Sequence, residues 1–393
     1  MSRADDGIVV VGGGLAGLRC AEALRKRGYD GRVRLICGEH EAPYDRPPLS
    51  KELSRTPAFL REAGWYPDND VELVLGRPAK ALEPARRTVT LAGEEAIGYE
   101  KLLIATGAGA RPLPLLSGFE NALPLRTVAD ARALGAILAP GVRLVVVGAG
   151  FIGQEVASAA RRIGASVTIV EALELPLAGL LGVDVGRRLV RMHREEGVEV
   201  ILSAQITAAH GDSHVEELEL ATGERLGCDA VVVGVGVAPA AGWLAGTGLD
   251  PSGVLTDPAG RTAIPDVFAA GDVSRPFDEV QGRHVRTEHW EAASRQGTAA
   301  AAAMLGDSPQ KPPPPSFWSD QHGHRLQYVG HADIADEVRI DGDPDARDFS
   351  ALYLHRGRPV AGLALDRPRE IAAIRRCIAD SNRPAPNTKE TDR

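Results

Sequence analysis

Ile8-Val9-Val10-Val11 runs straight into Gly12-Gly13-Gly14-Leu15-Ala16-Gly17, an apolar run feeding a G-x-G-x-x-G turn. A buried strand is expected over residues 7–12 and a helix over 15–28, with Leu18, Ala21, Ala23 and Leu24 facing inward. A second strand is expected over 32–37. In that setting each glycine has its own task. The first, Gly12, permits the tight turn, and the second, Gly14, lets backbone approach a pyrophosphate. The third, Gly17, lets helix lie close on strand, while the helix N-terminus offers N–H donors to an anion. Glu39, just past the second strand, stands where a carboxylate can accept hydrogen bonds from ribose hydroxyls. An ordinary glycine turn is the plain alternative. The order strand, turn, helix, strand, acid decides for a dinucleotide site.

The same device recurs 136 residues on, Gly12 to Gly148. Residues 143–147 read as a strand, Gly148-Ala149-Gly150-Phe151-Ile152-Gly153 as the turn, 155–164 as a helix and 166–170 as the next strand, closed by Glu171. Ala172 and Leu173 follow, with no arginine to meet a 2′-phosphate, so the carboxylate favours NADH over NADPH. Two dinucleotide sites in one chain point to one bound flavin and one exchangeable nicotinamide.

The remaining composition narrows the class. A chain of 393 residues predicts two to three domains. Its net charge of −8 argues against a dedicated nucleic-acid binder. The four cysteines (Cys20, Cys37, Cys228, Cys377) form no C-x-x-C or C-x4-C pair, which speaks against a zinc ribbon or a dithiol redox site. Acids near the start and the broken apolar run 230–246 exclude a signal peptide and a spanning helix, giving a cytoplasmic reading. Residues 41–49 are too rich in proline for a strand or helix interior. Strands are expected at 71–75, 87–91, 101–105 and 229–235, with a return to the first unit over 249–272 and a helix over 287–305. Past the stiff Lys311-Pro-Pro-Pro-Pro315 connector come strands at 325–329, 337–340, 350–355 and 360–365, a helix at 369–378 and a frayed tail at 382–393.

Four further strings carry a resemblance: Ala42-Pro-Tyr-Asp-Arg-Pro-Pro-Leu-Ser-Lys51, Ile104-Ala-Thr-Gly-Ala108, Thr262-Ala-Ile-Pro-Asp-Val-Phe-Ala-Ala-Gly-Asp272 with Glu288-His289-Trp290, and Phe317-Trp-Ser-Asp-Gln321. In this order the chain resembles the FAD-containing, NADH-dependent ferredoxin reductases of P450 and ring-hydroxylating oxygenase systems. Rubredoxin reductases and apoptosis-inducing factor are wider relatives of that family. The resemblance implies an α/β fold with two Rossmann-like domains of the glutathione-reductase type and a small C-terminal α+β domain. The expected limits are 1–112 with 244–315 for FAD, 113–243 for NAD, and 316–393 for the last domain. It implies tightly bound, non-covalent FAD and exchangeable NADH. It also implies a [2Fe–2S] ferredoxin as partner, reaching a terminal oxygenase, with no nucleic acid, membrane or metal.

The resemblance also implies residue roles. Gly12, Gly14, Gly17 and Glu39 would hold the adenosine half of FAD, with Ala79 touching adenine through its backbone. Arg46, Lys51, Arg126 and Asp272 would serve the flavin half, and Trp290 and Trp318 would lie near the isoalloxazine. Gly148, Gly150, Gly153, Glu155, Glu171 and Gly236 would receive NADH, and Lys51 with Glu155 would act at the reacting centre. Each has a bland counterpart: a solvated lysine, a first-turn acid, core tryptophans, a capping aspartate. The motif context favours the functional readings. His322-x-His324 with His331 lacks the further ligands a metal needs. The arginines of 186–194 read as a solvated face ahead of a docking patch. Two departures from the family pattern stand out, Ala240 where asparagine is usual and the proline run before Phe317. A thiol-based oxidase, peroxidase or disulfide reductase would need a redox cysteine where this chain has Tyr-Asp-Arg-Pro-Pro-Leu.

Overall fold

The computed structural model describes residues 6–381 apart from 54, 309, 310 and 344, so the expectation for the 382–393 tail lies outside the described residues. Along the chain the first unit contributes β1 (Ile8–Val11), α1 (Leu15–Lys26), β2 (Val33–Ile36), α2 (Pro47–Lys51), β3 (Val71–Val74) and β4 (Lys101–Ile104). The second contributes β5 (Ala122–Pro124), β6 (Arg143–Val147), α3 (Phe151–Ile163), β7 (Ser166–Val170), α4 (Val183–Glu195), β8 (Glu199–Ile201) and β9 (Ala230–Val233). Then come β10 (Val267–Ala269) and α5 (Trp290–Met304). The last module holds β11 (Ser316–Gln321), β12 (His324–Gly330), β13 (Glu337–Asp343), β14 (Asp348–His355), β15 (Arg358–Leu365) and α6 (Pro368–Ser381).

Two parallel five-stranded sheets form the body, in the orders β10-β4-β1-β2-β3 and β5-β9-β6-β7-β8. Their central strands, Ile-Val-Val-Val in β1 and Leu-Val-Val-Val in β6, are buried on both faces, which is why they read as unbroken apolar runs. β10 adds to β4 after more than 100 intervening residues, so the chain does return to the first sheet. A two-stranded ribbon, Ala108–Ala110 against Val237–Pro239, spans the crossing between the two sheets. The third sheet, β11-β12-β15-β14-β13, is antiparallel, with Ile371 and Ile378 of α6 seated on Val329 and Ala364.

Close approach of backbone explains the glycines at the helix starts. A Cβ on Gly17 would stand 2.0 Å from the Gly12 carbonyl oxygen, and one on Gly153 would stand 2.1 Å from that of Gly148. Gly12 and Gly148 themselves take φ of +128° and +99°, where L side chains are strained. Gly297 lets α5 lie against α1, since a Cβ there would meet the Ala16 carbonyl oxygen at 2.1 Å.

Two sequence expectations need correction. Residues 41–49 are not irregular throughout: Tyr44–Asp45 pairs with Ala58–Phe59, and Pro47 and Pro48 open α2. Proline is harmless there, because the first turn has no intrahelical acceptor for its missing N–H. The helix after the second glycine turn starts at Phe151, not 155, so Glu155 lies a full turn inside it. Phe317–Gln321, as expected at the start of the last module, lies in its first strand.

Candidate functional site

A cavity of about 1030 Å³ lies between the two glycine turns and the last module. It brings together Gly12, Gly14, Glu39, Arg46, Lys51, Ala79, Arg126, Gly150, Glu155, Gly236, Asp272, Trp290 and Trp318. Gly17, Gly148, Gly153 and Glu171 are outside its lining. The first three act through backbone packing at the turns. Glu171, at the end of β7, accepts the Ala149 N–H at 2.7 Å and the Leu173 N–H at 2.8 Å. It thereby stands beside the second turn.

The two middle glycines differ from their neighbours. A Cβ on Gly14 or on Gly150 would meet nothing within 4 Å, although both residues line the cavity. They are cradles at helix N-termini, open on the side where a pyrophosphate would rest. Four polar atoms of the lining lack any partner: Trp243 Nε1, Gln281 Oε1, Arg286 Nη1 and His289 Nδ1. The two open cradles facing one cavity fit a large ligand that carries a pyrophosphate. These residues fit a dinucleotide.

On the first-unit side, Tyr44 Oη donates to Glu39 Oε2 at 2.6 Å and Arg46 Nη2 to Glu39 Oε1 at 2.6 Å. Burial pushes the Tyr44 hydroxyl up to about 12, so it stays a donor. Arg46 Nη1 also reaches the Arg126 carbonyl oxygen at 2.5 Å, and Arg126 Nη2 pairs with Asp272 at 2.7 Å. Glu39, Arg46, Arg126 and Asp272 thus form one connected rim.

At the seam, α2 meets α3. Lys51 Nζ pairs with Glu155 Oε1 and lies 3.6 Å from Asp320. Ser50 Oγ donates to Glu155 Oε2 at 2.5 Å, and Ser319 Oγ donates to Glu155 Oε1 at 2.7 Å. Glu155 is only 3% exposed, and these donors offset the cost of burying its charge. Lys51 Nζ also stands 5.6 Å from the Trp318 ring centroid, within cation–π range. Trp318 meets Trp290 edge-on at 6.0 Å, and Trp290 Nε1 donates to Asp45 at 2.6 Å. The tryptophans are therefore wall residues of the cavity, held by specific contacts.

Sequence reasoning missed Ser50, Ser319, Asp45, Tyr44, His289 and Arg286. All but Arg286 lie in strings already quoted, so only their roles were hidden. His289 packs on Phe317 at 4.7 Å, and burial pushes its imidazole down to about 4, keeping it neutral. Arg286 carried no motif signal.

The cysteine and the histidines weighed in the sequence are placed as follows. The cavity lining carries one cysteine, Cys37, whose thiol burial pushes up to about 12, the reverse of a redox-active thiolate. The three histidines 322, 324 and 331 part company, contacting His193, Asp366 and Gln281 respectively, and the described residues hold no cluster fit for a metal. Three arginines of α4 have partners: Arg191 makes an exposed pair with Asp345 at 2.8 Å, Arg188 lies over the Phe349 ring, and Arg194 reaches the Val200 carbonyl, while Arg187 is exposed.

Residues 6–297 match the family described as pyridine nucleotide-disulphide oxidoreductase, and 316–391 match the reductase C-terminal family. The chain is 39% identical over 97% of its length to the ferredoxin–NAD(+) reductase component of the anthranilate 1,2-dioxygenase system of Burkholderia cepacia, covering 96% of that protein. Among solved structures it superposes on the covalent putidaredoxin reductase–putidaredoxin complex with a TM-score of 0.92, at 31% identity, over 96% of this chain and 94% of that one. The ferredoxin reductase for the CYP199A2 system of Rhodopseudomonas palustris gives 0.89, at 32% identity, over 93% and 92%. On two glycine cradles, a shared cavity and this whole-length likeness, the chain belongs to the pyridine nucleotide-disulphide oxidoreductase family, whose fold implies a flavin and NAD(H).

Proposed function

We propose that the chain is an FAD-dependent ferredoxin reductase, which takes a hydride from NADH and hands single electrons to a [2Fe–2S] ferredoxin. That ferredoxin would serve a P450 or ring-hydroxylating oxygenase, as the names of the relatives suggest. The observation that carries the reading is the Lys51–Glu155 pair at the seam of the two units, inside a cavity that both glycine cradles share.

Gly12, Gly14 and the start of α1 would hold the FAD pyrophosphate, and Gly150 with the start of α3 that of NADH. Glu39 would accept from the FAD ribose, while Asp272 and Arg126 face the flavin side of the rim. When bound, FAD supplies the change from two-electron to one-electron transfer. Lys51 places a fixed cation at the reacting end of the cavity, and Glu155 aims it. Trp290 and Trp318 wall that end off from water. Glu171 repels a 2′-phosphate and so selects NADH.

The proposed domain limits are 1–112 with 244–315, 113–243, and 316–393. The return of β10 and the ribbon at 108–110 and 237–239 support them. A cytoplasmic setting accords with the buried thiols of Cys20, Cys37 and Cys228. Among the described residues no helix is long and apolar enough to cross a membrane.

Steady-state cytochrome c reduction, with and without added [2Fe–2S] ferredoxins, is the test. Ferredoxin-dependent turnover supports the reading. A long-lived reduced protein that no ferredoxin reoxidises would point to an NADH-sensing flavoprotein, and turnover with rubredoxin alone to a rubredoxin reductase. Lys51→Ala is expected to slow anaerobic reduction by NADH by about 10²-fold, in line with loss of one fixed electrostatic group. An unchanged rate would remove Lys51 from the centre.

A further inference from the structure

The carboxylate of Glu155 is the end of a longer chain of buried polar side chains. Ser319 Oγ donates to Glu155 Oε1 at 2.7 Å, and Gln321 Nε2 donates to Ser319 Oγ at 3.0 Å. Gln321 Oε1 lies 3.1 Å from His193 Nε2, and His193 Nδ1 lies 2.9 Å from His322 Nε2. Ser319, Gln321 and His193 are each at most 2% exposed, so water replaces none of these partners. The chain joins α3, α4 and the β11–β12 hairpin, which the first-unit cofactor logic does not require.

Its direction follows from elementary donor accounting. A carboxylate only accepts, so Ser319 must donate its one hydrogen to Glu155. Ser319 Oγ then accepts from the Gln321 amide nitrogen, which leaves the Gln321 oxygen toward His193. That oxygen needs a donor, so His193 carries its hydrogen on Nε2 and accepts at Nδ1. His322 must therefore donate from Nε2. Every hydrogen along the path points toward Glu155, an arrangement in which each bond polarises the next. The far end is pinned as well. His322 and Gly323 form the hairpin tip with φ of 51° and 82°, the positive pair that a type I′ turn demands. The His322 backbone N–H donates to Ser158 Oγ on α3 at 2.7 Å.

We propose that His193 and His322 are positioning residues for the reductase reaction, holding Glu155 against Lys51 through the one-way relay of Gln321 and Ser319. The proposal rests on the assignment of Lys51 and Glu155 to the reacting end of the cavity. Neither histidine touches that end. They fix the rotamer of the carboxylate, and the carboxylate fixes the lysine.

Two measurements test it. In purified protein labelled with 15N-histidine, ring nitrogen shifts report the tautomer without any turnover. His193 is expected as the neutral Nε2–H form, and Gln321→Leu is expected to release it. An Nδ1–H form in the parent protein would overturn the direction of the chain. The second is anaerobic stopped-flow reduction by NADH, with FAD content and melting temperature recorded for each variant. His193→Leu is expected to slow reduction about fivefold to tenfold, the scale of one weakened hydrogen bond to a charge. His193→Gln, whose amide nitrogen replaces Nε2, is expected to restore most of the rate. Equal rates in the Leu and Gln variants would overturn the proposal, because a purely structural histidine gives no such ordering. In a Glu155→Gln background His193→Leu is expected to cost nothing further. If Glu155→Gln slows reduction and His193→Leu does not, only the relay fails. If Glu155→Gln changes nothing, the assignment of the reacting end fails with it.

Discussion

Gly150 and Gly153 sit three residues apart in one turn, yet substitution to alanine should act on different properties. Gly153→Ala would put a Cβ 2.1 Å from the Gly148 carbonyl oxygen and 3.2 Å from Val146 Cγ1. A carbon cannot stand there, so α3 must withdraw from β6 by roughly 1 Å, an overpacking cost of about 1–3 kcal/mol. Gly150→Ala meets nothing within 4 Å, and Gly150 has φ −68° and ψ 176°, which alanine accepts. The folded chain should then gain about 0.4–1 kcal/mol from the reduced entropy of the unfolded state. The methyl group would instead occupy the cradle proposed to receive the NADH pyrophosphate. An overpacking cost of about 1–3 kcal/mol at that point weakens NADH binding by roughly 5- to 150-fold. Urea melts of the two variants give the stability arm, and NADH titration of the flavin-loaded protein gives the binding arm. The first turn supplies an internal replicate, with Gly17→Ala destabilising and Gly14→Ala costing FAD retention. The reasoning is refuted if Gly150→Ala melts as early as Gly153→Ala while binding NADH like the parent.

Burial pushes His193 down to about 3, and His289 and His322 each to about 4, from an ordinary value of 6.5. Between those values the unfolded chain binds more protons than the folded one, so stability falls as pH drops below about 6.5. His193 alone should cost about 2 kcal/mol between pH 7 and pH 5, and urea midpoints of parent and His193→Gln at both pH values check it. A parent no more acid-sensitive than the variant would contradict the burial argument. Glu171→Gln removes the charge and leaves one acceptor oxygen where Ala149 and Leu173 N–H each have their own, so the ratio of NADH to NADPH reduction rates should fall about tenfold. A parent protein that NADPH reduces faster than NADH would show that Glu171 does not set the preference. Trp318→Ala removes the ring beneath the Lys51 cation and one wall of the cavity. Its flavin should show faster reoxidation by dissolved oxygen, read from the return of absorbance after NADH is spent.

How much of this was legible in the sequence depends on the range of the physical constraint. The glycine turns were readable because a short-range clash enforces them: Gly12 with Gly17, and Gly148 with Gly153, approach within one turn of helix. Helix α2 was not, because the proline count of 41–49 argues against helix interiors and says nothing against a first turn. Long-range polar contacts leave still less trace. His193 and His322 are 129 positions apart, and nothing periodic links a helix residue to a hairpin tip. Conversely, His322, His324 and His331 are neighbours in sequence and suggested a metal fragment. The hairpin sends them to three separate partners: His322 occupies the turn, His324 opens β12, and His331 lies beyond its end. The same logic governs Glu155. Its place on the helix was readable, but what makes a buried carboxylate tolerable is a lysine 104 residues away and a serine 164 residues away. The glycine cradles are thus written locally, and the Lys51–Glu155 seam non-locally. Substitutions at the seam should therefore couple across all three units, whereas substitutions at the turns should not.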